Sequence, residues 1–419
     1  LNESLQILEK FQKNQIVTLL YKQINERIKP NSLNQALLFL KTIEHIPHSQ
    51  RKKNLEGVIK LSINEETELV SNFYNEIGKQ FDIISECDNA IEYFEKSLAI
   101  RLKVHGGQHT TTGSSYNNIG MVWRVKGEYD NAIEHFEKSL AIFLKLHGDQ
   151  HPLTGYSYIN LGSVWMSKGA YQRAIEYFEK SLVLNLKVHG DQHPSTGRSY
   201  NNLGMGWMAK GEFDKAIEYF EKSLAIDLKV HGDQHPSTGK SYNSLGLVWR
   251  EKGEFDKAIE YFEKSLAIDL EAYGNQHPLV GRSYNNLGLA REKKGEYNKA
   301  LEYYKKSLYI NLKVHGDQHP STGMSFTNLG VVWQKKGEYD KALEYFNKSL
   351  VTNLKVYGDQ HPSTGKLYNS VGNVWKDKGE HNKALEYYEK SHSIFLSSFG
   401  EDHPHTELLK GKLESFNDL

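Results

Sequence analysis

The sequence predicts an all-α solenoid of stacked helix pairs, and three observations predict it. A unit of 42 residues recurs in register along most of the 419-residue chain, and a fixed period of roughly 20–50 residues marks a stacked array. Each unit holds two stretches with apolar residues at helical spacing, separated by glycine. Such a unit cannot bury its own apolar face, so neighbours have to stack. The unit reads H-G-D-Q-H-P-S-T-G-x-S-Y-N-N-L-G-x-V-W-x-x-K-G-E-Y-D-K-A-I-E-Y-F-E-K-S-L-A-I-x-L-K-V. Its first position recurs at His105, His147, His189, His231, Tyr273, His315, Tyr357 and Phe399.

Residues 1–66 stand outside the repeat. Leu5, Leu8 and Phe11, then Leu19, Leu20, Ile24 and Ile28, have helical spacing; Pro30-Asn31-Ser32 breaks that run, and Ser32 can cap a second helix ending near Pro47. A third stretch follows His48. This N-terminal helical region reads equally as a cap on the array or as the tail of an upstream domain. Eight helix pairs are predicted over residues 67–405. The first is degenerate: Ile77, Gly78 and Phe81 fit, but Ser85 replaces the glycine stop and Cys87 an aromatic.

In a representative unit the first helix opens at Pro194, where the missing donor costs nothing, and stops at Gly211. Equivalent stops are Gly127, Gly169, Gly253, Gly295, Gly337 and Gly379. The second helix runs from about Asp214 to His231, with Ala216, Ile217, Phe220, Leu224, Ile226 and Leu228 on one face. A column of large side chains reads Phe81, Trp123, Trp165, Trp207, Trp249, Arg291, Trp333, Trp375, so a looser or bent junction is expected at Arg291. A last helix after Pro404, within a capping region 406–419, closes the array.

Composition narrows the function classes. Lysine plus arginine equals aspartate plus glutamate, 52 of each, so no global footprint for nucleic acid or an anionic membrane exists. The single cysteine, Cys87, and the lack of a secretory leader make a reducing, cytoplasmic compartment the default expectation. No apolar run is long enough to cross a bilayer. The start at Leu1, without methionine, leads us to expect a fragment of a longer protein. No catalytic motif stands out, so neither enzymatic activity nor a cofactor is expected. Gly239-Lys240-Ser241 resembles the end of a phosphate loop, but Gln234 occupies the place of its required first glycine. The histidine pairs at the junctions, such as His189/His193 and His231/His235, lack a thiolate or carboxylate to complete a metal set. Aromatic residues replace the first member freely, so the histidine before proline is expected to cap a helix.

Tyr200, Leu203, Gly204, Trp207, Ala216 and Phe220 carry a resemblance. The helix pair resembles the tetratricopeptide repeat, whose usual period is about 34 residues. The longer period, the G-D-Q-H-P junction and the Y-N-N-L-G core make it similar to the kinesin light chain type, over roughly residues 67–405. The resemblance implies a right-handed superhelix whose first helices line a concave, protein-binding face. Residues six, three and two before the motif glycine, and one and four after it, would face that groove.

On this mapping three groups become candidate peptide-binding residues. An asparagine track includes Asn118, Asn160, Asn202, Asn286 and Asn328, with Asn117, Asn201, Asn243, Asn285 and Asn369 beside it; the resemblance implies that the inner asparagines hold a peptide backbone. Pairing of the asparagines between units is the competing reading. Arg198, Lys240, Arg282 and Lys366, with Arg124, Arg250 and Lys376, form a basic group suited to carboxylates or phosphates, unless glutamates pair with it. Met166, Met205 and Met208, with Met121, Met324, Tyr156 and Ile159, offer adaptable apolar surface, or pack between units. The expected function is a scaffold, of adaptor or assembly type, that binds an extended acidic and apolar segment of another protein in the groove. The alternative is a C-terminal ligand-sensing arm of a larger signalling protein with an upstream nucleotide-binding switch or effector domain.

Overall fold

The computed structural model describes residues 67–417 and, from the preceding segment, Leu37, Leu40 and Leu55. The helices expected within residues 1–66 lie outside the described residues. The chain divides into two compact units, Leu1–Gly211 and Glu212–Leu419.

The first unit contains α1 (Glu68–Ile83), α2 (Cys87–His105), α3 (Thr110–Lys126), α4 (Tyr129–His147), α5 (Pro152–Ser167), α6 (Tyr171–His189) and α7 (Pro194–Ala209). The second contains α8 (Phe213–His231), α9 (Pro236–Glu251), α10 (Phe255–Tyr273), α11 (Pro278–Lys293), α12 (Tyr297–His315), α13 (Pro320–Lys335), α14 (Tyr339–Tyr357), α15 (Pro362–Asp377), α16 (His381–Phe399) and α17 (Pro404–Asn417). Helices are the sole regular structure among the described residues. Within each unit they form antiparallel pairs and each helix packs on its neighbours in sequence; first helices of successive repeats also touch, as α3 with α5 and α5 with α7.

Both ends of the first helices follow from sequence chemistry. From α3 on, each is capped by the histidine before it: Nδ1 of His193 accepts the Ser195 N–H at 3.1 Å, and Nδ1 of His235 accepts that of Ser237 at 3.1 Å; α1 is capped by Thr67 instead. The other junction aromatic stacks on the capping ring, at 4.3 Å between ring centres for His189/His193 and 4.6 Å for Tyr273/His277. Stacking needs only a flat ring, which is why tyrosine and phenylalanine substitute there. The glycine stops adopt the left-handed conformation, with φ of 82° at Gly169 and 85° at Gly211. Ser85 takes the same conformation, φ 61°, without being glycine.

Inside each pair the motif glycine lets the second helix approach. A Cβ added to Gly162 would lie 2.4 Å from the Phe178 ring, and one on Gly288 would lie 2.6 Å from the Tyr304 ring. Phe136, Phe178, Phe262, Tyr304, Phe346 and Tyr388 are at most 2% exposed at this contact. Leu40 and Leu55 are fully buried in the core that contains Phe73, Ile77 and Phe94.

The tryptophan column sits beneath cations. Lys252 and Lys257 lie 5.3 and 4.1 Å from the Trp249 ring centre, and Lys378 and Lys383 lie 5.5 and 4.3 Å from that of Trp375. Arg291 does not loosen its junction, contrary to the sequence expectation: Leu287 and Ala290 beside it are fully buried. Its guanidinium binds Glu263 at 2.9 Å and Glu296 at 2.7 Å, and Lys294 and Lys299 reach Glu296 at 3.2 and 3.1 Å. Cations that would flank an indole thus gather around a carboxylate. The Arg291 hydrogen bond, with Lys299 and Lys294 adding to it, holds the Glu296 carboxyl down at about 2.

Two outcomes follow from these contacts. Gly162→Ala forces the Phe178 ring to move and lowers stability by about 1–3 kcal/mol, read as lost hydrogen-exchange protection in α5 and α6. A carboxylate with a depressed pKa stabilises the fold above its unfolded value and loses that contribution as pH falls through the folded value. The melting temperature of Glu296→Gln therefore lies below that of the native chain above pH ~4.5, and the gap closes as pH falls toward 2.

Candidate functional site

The first helices present their asparagines to one another. In the first unit, Asn118 Nδ2 donates to Asn75 Oδ1 at 2.9 Å, and Asn160 Nδ2 donates to Asn117 Oδ1 at 2.6 Å. In the second, Asn286 donates to Asn243 at 2.8 Å and Asn328 to Asn285 at 2.7 Å. The rule is constant: the residue two before the motif glycine donates to the residue three before it in the preceding repeat. In the last helix Lys412 takes the donor's place, its Nζ 2.7 Å from Asn369 Oδ1. The inner asparagines therefore bind across repeats, and each keeps one amide N–H for anything else.

The ladder has a break in each unit. In the second, Thr327 bonds to the Ser349 hydroxyl at 2.8 Å, and Ser370 turns back to the Lys366 carbonyl at 3.0 Å. In the first, Ile159 stands where an acceptor is needed. Asn202 accordingly makes no side-chain hydrogen bond among the described residues. Here, between the N-terminal halves of α5 and α7, a cavity of about 570 Å³ opens, lined by Tyr156, Ile159, Asn185, Ser195, Arg198 and Asn202 among others. Tyr156 is 53% exposed. Asn185, from α6, donates to the Ser199 hydroxyl at 2.8 Å and forms part of the wall. The Arg198 guanidinium meets the Ser195 hydroxyl at 3.0 Å and no carboxylate among the described residues.

The other basic candidates divide between free and engaged. Lys240, Arg282 and Lys366 are exposed, and the first two meet no carboxylate among the described residues. Arg250 is bound to Glu251 at 2.7 Å. Arg124 faces Asp82, whose carboxyl is pushed up by burial and pulled back by that guanidinium. Of the methionines, Met121 and Met324 are exposed, and Met166, Met205 and Met208 are half-buried.

Charge is segregated by helix. No aspartate or glutamate occurs in α3, α5, α7 or α13. Where first helices of the second unit carry acids, they are engaged: Glu292 is buried between the Tyr304 hydroxyl and Lys335, each at 2.8 Å, and Asp377 accepts from Gln334 at 2.7 Å. The chain is neutral overall, yet from α3 on the first helices of each unit expose mainly basic and apolar side chains. Such a face can hold a carboxylate and an apolar side chain. It shows no grouping for chemistry: among the described residues no cluster of three His, Cys, Asp or Glu could hold a metal ion. No described helix is long and apolar enough to cross a membrane.

Sequence reading singled out Tyr156, Ile159, Arg198, Asn201 and Asn202, which the structure brings together at the cavity. Lys240, Arg282, Arg250, Asn286 and Asn328 belong to the other unit. Asn185 was missed. Its column reads Arg101, Phe143, Asn185, Asp227, Asp269, Asn311, and that variability inside an otherwise constant helix was the available signal.

Comparison with known proteins follows the same lines. A family model described as tetratricopeptide repeat matches residues 112–182, 208–271, 249–310, 279–351 and 327–397, more than half of the chain. No curated protein matches significantly. Among solved structures, the apo quorum sensor NprR from B. thuringiensis is similar in fold, with a TM-score of 0.57, 13% identity, and coverage of 87% of this chain and 97% of that one. Aspartyl phosphate phosphatase F from Bacillus subtilis is similar too, with a TM-score of 0.53, 14% identity and coverage of 94% and 95%. A Podosopora anserina protein described as a kinesin light chain with nearly identical TPR-like repeats is 25% identical over 49% of this chain and 98% of its own, with a TM-score of 0.45.

The ladder and its break behave differently under truncation. Asn286→Ala orphans the Asn243 acceptor and lowers stability by about 1 kcal/mol. Asn202→Ala removes no bond and leaves stability within about 0.5 kcal/mol of native. Paired urea melts followed by circular dichroism separate the two.

Proposed function

The chain belongs to the tetratricopeptide repeat family, and on that premise we propose that it is a non-catalytic scaffold that binds an extended segment of another protein along its first helices. Repeats of this family generally mediate protein and peptide binding. The observation that carries the reading here is the charge segregation. In α3, α5 and α7 no carboxylate opposes Arg198; Tyr156 stands exposed at the same cavity, and Met121 is exposed on α3. In the second unit Lys240 and Arg282 are exposed on α9 and α11. A segment with acidic and apolar side chains complements this face in charge and in polarity. Ordering a flexible segment costs free energy, so affinity for one short peptide is modest. An adaptor or assembly role fits such a binder.

Panning a displayed library of random linear peptides against the full chain tests the reading. Selected peptides are expected to be acidic, and the triple variant Asn202→Ala, Asn286→Ala, Arg282→Glu is expected to bind them at least about tenfold more weakly with unchanged helicity. Equal binding by the triple variant would move the site off the first-helix face.

A further inference from the structure

The break in the asparagine ladder at α5–α7 has a composition unlike a packing defect. We propose that this cavity is the anchor subsite of the first unit, taking an apolar side chain and an adjacent aspartate or glutamate from the interior of an extended peptide. The proposal rests on the peptide-binding reading of the first-helix face and assigns its specificity to one junction.

One substitution sets this junction apart, and a short side chain forms the wall beside it. Ile159 replaces the acceptor asparagine that closes the α3–α5 junction through Asn117 and Asn160. Asn185 replaces Phe143 of the preceding repeat, whose ring comes within 2.7 Å of a Cβ built on Gly113. At the equivalent Gly155 the nearest atom is Leu184 Cδ2, at 3.3 Å. The shorter Asn185 side chain turns toward Ser199 at 2.8 Å, as Asn311 turns toward Ser325 at 2.9 Å, and forms part of the cavity wall.

The walls then differ in kind. Ile159 and the exposed Tyr156 ring are apolar, and burying a side chain against them is favourable in proportion to the area covered. Arg198 and Asn202 supply N–H donors with no carboxylate among the described residues to satisfy them. A guanidinium prefers a carboxylate, which it can bind through two parallel hydrogen bonds. A volume near 570 Å³ lies within the ~300–1,000 Å³ range of small-ligand pockets. Beyond the cavity the first-helix face continues onto α3 with Met121 exposed, so a bound chain has surface to follow on leaving it. This favours an internal residue over a chain terminus. At the closed junctions of the first unit the ladder occupies one N–H of each donor asparagine, whereas Asn202 keeps both, so this junction offers a peptide more donors than a closed rung does.

The test uses the full chain and three pools of fluorescent dodecapeptides, randomised except at the centre. The first holds Leu-Asp with blocked ends, the second Leu-Asn with blocked ends, and the third ends in Leu with a free carboxylate. The variants are Ile159→Asn, which supplies the missing acceptor to Asn202 and closes the cavity, and Arg198→Gln, an exposed change that leaves packing alone. The native chain should retain the Leu-Asp pool at least about tenfold better than the Leu-Asn pool. Ile159→Asn should lose the Leu-Asp pool with no fall in melting temperature, and Arg198→Gln should lose the preference for aspartate over asparagine. If both variants retain the Leu-Asp pool as the native chain does, the anchor is refuted while the wider peptide reading stands. If the free-carboxylate pool is retained and the Leu-Asp pool is not, an internal occupant is refuted. If the native chain retains no pool, the anchor and the peptide reading fall together.

Discussion

In both units a glycine of the first helix lies against an aromatic ring of the second, closer than any side chain would allow. A Cβ on Gly162 would stand 2.4 Å from Phe178, and one on Gly246 would stand 2.5 Å from Phe262. No other residue type permits this separation, so the pair geometry is set at one position per repeat. The buried alanines, such as Ala132, Ala174 and Ala258, line the same approach and are fully covered. With the pair fixed this way, a core side chain can change little in volume without cost. Variation is pushed outward, onto the first-helix face and the junctions, where Tyr156 and Ile159 depart from their counterparts.

Much of this was legible in the residues. The period, the glycine stops and the proline starts each rest on backbone rules that act within a few residues, and the helices begin and end where those rules put them. The capping histidines were legible by elimination, because no partner existed to make them metal ligands. What a 42-residue alignment hides is a bond that joins positions 43 apart. Asn160 and Asn117 occupy different columns, and their pairing depends on the offset between stacked first helices. The cavity was hidden for a related reason. It arises where Ile159 interrupts the ladder, and an absence has no motif. Arg291 misled because a missing indole suggests a void, whereas a guanidinium with two glutamates in reach fills the position electrostatically.

Neutrality of the whole chain conceals its polarity. Glutamates of the second helices pair with lysines one turn on, as Glu218 with Lys222 and Glu344 with Lys348, each at 2.6 Å. Such exposed pairs contribute little to stability, and second-helix acids that do reach first helices go to Arg291, Ser241 and Ser283 rather than to Arg198 or Arg282. Arg198 and Arg282 therefore stay available. The repeat thus divides its work: the second helix supplies aromatic core and charge balance, and the first helix supplies a face that can change without refolding.

The identical histidine-capped junctions make the repeats interchangeable parts. An unequal exchange between gene segments that removed one repeat length spanning α5 would leave every cap and stop intact in the shortened chain. It would also carry away Ile159 and bring the repeat of Asn117 directly before that of Asn202, completing the rung. The cavity therefore travels with a single repeat as a heritable cassette. Losing that cassette would leave a folded array with the rung complete, whereas copying it would set Tyr156 in the place of Arg198 beside the new gap.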